Sequence, residues 1–98
     1  MKVSEITNKE IADYIVLEYL DLTNSDKNNL DTLISVAKAF IKSYTGLTAE
    51  EIDSHEEFVI VVYILVQDMY DNKTLYVDKN NLNKVVDTIL GMHSVNLL

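Results

Sequence analysis

Residues 58–66, FVIVVYILV, form the one long apolar run in the chain, nine residues without a polar break. Spanning a bilayer takes about 18 or more such residues, so protein must shield this run from water. Its β-branched content suits a buried strand as well as a buried helix, and the flanks decide between them. Ser54 followed three positions later by Glu57 is a capping-box pattern, with Glu56 also placed near the positive end of a helix dipole. Beyond the run, Val59, Val62, Tyr63, Val66, Met69 and Tyr70 keep a three/four spacing past the usual length of a strand. These features predict a central helix within residues 54–73, roughly 17 residues and about 25 Å long.

The rest of the composition is compatible with helices packed around that run. A chain of 98 residues, 48% hydrophobic, with no proline and two glycines predicts an all-α fold, one compact domain over residues 1–98 with a modest core. The absence of cysteine excludes disulfides and thiolate metal sites and fits a reducing compartment. The opening MKVSEITNKE lacks the apolar stretch of a signal peptide, and a cytoplasmic origin is expected. Eight basic residues, all lysine, stand against sixteen acidic ones for a net charge of -8. A conventional DNA reader needs a basic face and usually arginine for guanine edges, so sequence-specific nucleic-acid binding is not expected. The acidity has two readings: ordinary solubility of a small domain, or a surface suited to a basic partner or to a duplex that must pass without sticking.

Local signals divide the chain further. Thr7 and Glu10 make a capping box and Ile6 and Ile11 a hydrophobic staple, which start a first helix at Asn8. Ile11, Tyr14, Ile15, Tyr19 and Leu22 form its stripe, so the helix is expected to run to about Leu22, with Val16, Leu17 and Leu20 widening the apolar surface. A polar connection at 23–29 offers Ser25 as the next cap. Leu30, Leu33, Ile34, Ala37, Phe40, Ile41 and Tyr44 then share one face of a second helix, ended by Gly46 with Leu47 behind it. Thr48 and Glu51 form another capping box, predicting a short helical turn at 49–53. After Lys73, residues 74–78 read as extended. Asp78 or Asn80 caps a last helix striped by Leu82, Val85, Val86, Ile89 and Leu90, which Gly91 weakens or ends. The apolar C-terminal tail, Met92-His93-Ser94-Val95-Asn96-Leu97-Leu98, differs from the polar ends typical of domains.

Catalytic and ligand-binding signatures are sparse. His55 lies in a cap region beside Glu56 and Glu57, and His93 in the tail; both are expected to face solvent, and no metal site or cofactor is predicted. No glycine-rich phosphate loop, serine elbow, or Cys-His or Ser-His frame is present. Asp68 as a general base lacks a second acid or pocket in the sequence, and charge pairing of Asp68 and Asp71 with Lys73 is the simpler reading. The chain is not expected to be an enzyme. Tyr70 and Tyr76 flank the extended segment and suit anchors at a protein interface. The apolar run itself needs either three flanking helices or neighbouring subunits to cover it.

Four stretches together resemble one family: Tyr44-Thr45-Gly46-Leu47, Asp68-Met69-Tyr70-Asp71-Asn72-Lys73, Asn83-Lys84-Val85-Val86, and the terminal Met92-His93-Ser94-Val95-Asn96-Leu97-Leu98. In this order, with the Val3-Ser4-Glu5-Ile6 opening, the chain is similar over nearly its whole length to the head-tail connector proteins of tailed bacteriophages, the head-completion or DNA-packaging adaptors. The family commonly has arginine after the Asp-Asn step. Lys73 stands there in this chain, so a point-charge contact replaces a bidentate one.

The resemblance implies an all-helical subunit of a ring that assembles beneath the portal after packaging, bridges it to tail-side components and helps retain DNA. Such a protein resides in the virion, and in the host cytoplasm during assembly. A ring is a heterologous, closing assembly, for which Tyr70, Asn72, Lys73 and Tyr76 are the expected subunit contact and Val95, Leu97 and Leu98 the expected docking residues. The alternative is a monomeric acidic phage protein that binds and inhibits a basic host protein through a tight, salt-sensitive contact. Deleting residues 94–98 is expected to preserve the far-ultraviolet circular dichroism of the fold and abolish ring or portal association. Normal assembly of the truncated chain in native mass measurements with portal present refutes the docking role.

Overall fold

The computed structural model describes residues 1–94, and within them the chain forms five α-helices: α1 (Asn8–Tyr14), α2 (Asn24–Thr45), α3 (Ala49–Asp53), α4 (Glu57–Asn72) and α5 (Lys84–His93). Single 3₁₀ turns occupy Val3–Glu5, Tyr19–Asp21 and Lys79–Asn81, and no strand occurs among the described residues. This is the expected all-α arrangement of four main helices plus one short helical turn. Val95, Leu97 and Leu98 lie outside the described residues. No helix among the described residues is long and apolar enough to cross a membrane.

The apolar run sits at the centre. Phe58, Val61, Val62, Leu65, Val66 and Met69 of α4 are buried, packed against α2, α5, α1 and the N-terminal turn. Val59, Tyr63 and Ile64 on the remaining faces are partly buried against the same cluster. Of the two ways to cover the run, flanking helices of the same chain therefore suffice. The Leu30, Leu33, Ile34, Ala37 and Ile41 stripe of α2 is buried as its periodicity predicts, while Phe40 and Tyr44 pack at the edge with ring centroids 5.7 Å apart. The last helix contributes Val86 and Leu90. Thr45 is the one polar residue in the core among those described, and its hydroxyl donates to the Ile41 carbonyl at 2.7 Å and accepts from the Leu47 amide at 3.2 Å. Both bonds offset the cost of burying the hydroxyl.

Several boundaries follow their caps. The Thr7 amide donates to Glu10 at 3.1 Å, with Ile6 and Ile11 both buried as a staple requires. At α3, Glu51 accepts from the Thr48 amide at 2.9 Å and its own amide donates to the Thr48 hydroxyl at 3.2 Å. Gly46 ends α2 in the left-handed region at φ 74°, its amide bonded to the Lys42 carbonyl at 3.0 Å.

Four boundaries differ from the sequence expectation. The first helix stops at Tyr14 rather than near Leu22, because Val16 turns left-handed at φ 62°. The Leu17 amide then bonds to Ala12 at 2.8 Å and the Val16 amide to Asp13 at 3.3 Å, the pair of bonds of a Schellman ending with valine where glycine usually stands. A β-branched residue in this region is strained, and no glycine marks the site in the sequence. Thr23, not Ser25, caps α2, exchanging bonds with Asp26 at 3.0 Å in both directions. Ser54 does not start α4: its hydroxyl donates to the Glu51 carbonyl at 2.6 Å and closes α3. The first α4 amides instead bond back to His55 and Glu56 at 3.2 and 3.0 Å, so α3 runs into α4 through a tight turn.

The fourth concerns Gly91: of the two readings, weakening or ending the last helix, the ending fails, since α5 continues to His93. Asp78 caps the 79–81 turn and Asn83 caps α5 itself. A Cβ at Gly91 meets nothing within 4 Å. Gly91→Ala is therefore expected to stabilise the protein by about 0.5–1 kcal/mol through reduced backbone entropy in the unfolded chain. A higher urea midpoint with unchanged slope checks this.

Candidate functional site

At its C-terminal end α4 leaves the helical region through Lys73, left-handed at φ 55°. The Lys73 amide bonds to Tyr70 at 3.3 Å and the Thr74 amide to Met69 at 3.0 Å, the same ending that closes α1. The chain then bends through Leu75 and Tyr76 without helix or strand. This bend displays apolar side chains: Leu75 is 61% exposed, Tyr76 64% and Tyr70 38%. On one side Tyr70, Lys73 and Leu75 face Asp26 and Asn29 of α2 across a groove of about 410 Å³. On the other, Asn72, Tyr76 and Asp68 border a cleft of about 250 Å³. The residues expected at a subunit contact, Tyr70, Asn72, Lys73 and Tyr76, are thus gathered around the C-terminal end of α4.

Their local roles are more specific than the sequence indicated. The Asn72 side-chain amide donates to the Asp68 carbonyl at 2.9 Å, which satisfies a carbonyl at the helix end. Among the described residues Lys73 pairs with neither Asp68 nor Asp71, so the simple charge-pairing reading fails. Burial, with the neighbouring Asp71 charge adding to it, raises the Asp68 carboxyl above its ordinary value. The other carboxylate of that cleft, Asp78, accepts from the Asn80 amide at 3.1 Å and from Asn81 at 2.8 Å. It is held as a turn cap. Sequence reasoning overlooked Leu75, which no periodicity flags. It also placed Val16 and Leu20 on a helix, whereas both project from the connection after α1, 87% and 95% exposed. The Lys27 ammonium lies 4.4 Å above the Tyr19 ring, fixing that connection beside the start of α2.

A second constellation lies near the opposite end of α4. The expectation of two solvent-facing histidines does not hold, because the 54–57 turn and the last residue of α5 converge. The His55 and His93 rings are 4.4 Å apart between centroids, and the His93 side chain is only 18% exposed. His93 Nε2 lies 3.2 Å from Glu57 Oε2, and His55 Nδ1 lies 3.8 Å from Glu57 Oε1. Both rings rest against buried Phe58, at centroid distances of 5.0 and 5.9 Å. The Glu57 carboxyl is held below its ordinary value, first by its own backbone amide and further by His93. Nothing in a linear reading pairs residues 36 positions apart. Nearby, the Asp53 carboxylate accepts the Ser4 amide at 2.9 Å, which ties the N-terminal turn to α3, and the Ser4 side chain first and its amide second hold the carboxyl below its ordinary value.

Comparison of the chain with protein-family models, curated proteins and solved structures finds no match.

The raised Asp68 pKa has a defined sign. The folded state holds this proton more tightly than the unfolded one, so the group costs stability as pH rises above the ordinary value of 3.8. Asp68→Asn is expected to raise the denaturant midpoint at pH 7, with the gain shrinking to nothing as pH falls below 3.8. Midpoints measured between pH 3 and pH 7, wild type against variant, check it.

Proposed function

We propose that this protein is a structural adaptor of a tailed bacteriophage, a subunit of a ring that joins the portal to tail-side components and through which DNA passes. The proposed role is non-catalytic and belongs to the virion, with assembly in the host cytoplasm. The observation that carries this reading is the apolar ridge of Leu75 and Tyr76, beside Tyr70, left uncovered by a core that is otherwise closed within the chain. An exposed aromatic and aliphatic cluster of this kind suits the centre of a protein contact. Each of the two residues contributes about 1.5–3 kcal/mol when fully covered. The resemblance of the four sequence stretches to connector proteins supports the same reading. A net charge of -8 without a single arginine is consistent with a lumen that does not hold DNA by its phosphates.

In this reading one ring contact is made by the 70–76 bend, with the exposed Val16 and Leu20 of the connection after α1 as the candidate second contact. Each neighbour would set its bend against another part of the next subunit, as heterologous closure demands.

The test is co-assembly of the full chain with its portal, read by native mass measurement and electron microscopy. Wild type is expected to add a ring to the portal. Leu75→Asp with Tyr76→Asp is expected to lower incorporation more than about 10-fold, since hot-spot losses reach 2 kcal/mol or more, with circular dichroism unchanged. A wild-type chain that stays monomeric with portal, or a double variant that assembles as well as wild type, overturns the proposal. A tight, salt-sensitive complex with a basic host protein by a persistently monomeric chain points to the inhibitor reading instead.

A further inference from the structure

We propose that His55, Glu57 and His93 bind a zinc(II) ion that fastens the end of α5 to the start of α4. One donor atom from each residue lies within 4.8 Å of the others, and no other group of three or more such donors occurs among the described residues. Zinc bound by nitrogen and oxygen at about 2.0–2.2 Å in a tetrahedron requires donors roughly 3.3–3.6 Å apart. The Glu57–His93 pair, at 3.2 Å, already has that spacing. His55 Nδ1 lies 3.8 Å from the other oxygen of Glu57, so an ion bound through Oε2 requires the His55 ring to swing toward that oxygen. His55 is free to supply that movement, because its side chain is 39% exposed and it makes no hydrogen bond through its ring. Oε2 of Glu57 faces His93 and Oε1 faces His55, so the carboxylate lies between the two imidazoles.

Chemistry selects the class of ion. Two imidazoles and one carboxylate suit a borderline first-row divalent ion, whereas magnesium and calcium require shells made of oxygen. Three protein ligands leave a fourth position for water. Phe58, fully buried and in contact with both rings, supplies an apolar wall that limits solvent on one side and fixes the ring planes. The ligands come from the turn after α3, the first residue of α4 and the last residue of α5. An ion there links positions 57 and 93, 36 apart in sequence, and holds the end of the final helix against the core.

The experiment is calorimetric titration of the full chain, freed of any affinity tag, with zinc chloride, paralleled by thermal unfolding. One ion per chain and a saturating rise in melting temperature are expected, with magnesium chloride producing neither. Glu57→Gln, His55→Gln and His93→Gln are each expected to weaken zinc binding more than about 10-fold, as loss of a ligand must exceed the effect of losing its supporting hydrogen bonds. Cobalt(II) in place of zinc is expected to give the intense visible bands of tetrahedral coordination. His93 packs on Phe58, so Glu57→Gln and His55→Gln, at more exposed positions, carry the test if His93→Gln disturbs the fold. Absence of saturable binding near one equivalent, or binding that these two substitutions leave unchanged, overturns the proposal.

Discussion

The structure depends on the burial of α4. A helix of 16 residues that is apolar on nearly every face has no stable place in water, and helix propensity alone does not hold such a segment. The stripe of α2 covers its longest side, α5 and α1 take the others, and the N-terminal turn closes the end near Phe58. Val3 and Ile6 are drawn into the core for this reason, although they belong to a segment with almost no secondary structure of its own. The many carboxylates remain outside, several engaged in capping amides rather than in ion pairs. Electrostatics here shapes the helix ends and leaves cohesion to packing.

Because the core is satisfied by the chain itself, the apolar residues that remain exposed carry more information than the buried ones. A nine-residue apolar run invites the thought that neighbouring subunits must shield it. The structure shifts that inference from the run to the segments that follow the helix ends. Leu75, Tyr76, Val16 and Leu20 are exposed, and each follows or occupies a left-handed helix ending, at Val16 or at Lys73.

Legibility in the sequence divides along a physical line. Features produced by neighbours in sequence were readable: the Thr7–Glu10 and Thr48–Glu51 boxes, the α2 stripe and the glycine ending at Gly46. Features that depend on which of two local options the tertiary structure prefers were not. Ser54 has the spacing to cap α4, yet its hydroxyl serves α3. The first stripe continues to Leu22 on paper, with Val16 beside it, yet the chain turns at Val16 and bonds the Leu17 amide back to Ala12, even with a β-branched residue in the left-handed region. The proximity of Tyr70, Asn72, Lys73 and Tyr76 was legible because they lie within seven residues of one another. The grouping of His55, Glu57 and His93 was not, because it exists only once α5 is laid along α4.

Three helices end on a residue in the left-handed region, Val16, Gly46 and Lys73, and main-chain bonds secure each ending, with the Thr45 hydroxyl adding to the second and the Asn72 side-chain amide to the third. At Val16 and Lys73 the side chain contributes nothing to the bonds that stop the helix, and it points away from the core. Selection can therefore rewrite these positions and their exposed neighbours with little penalty to folding. A partner that changes shape or charge can be followed by substitutions at the rim while the scaffold stays the same. The backbone that ends these helices and the side chains exposed there are in this sense specified separately, so the surface chemistry at the helix ends can vary while the fold is kept.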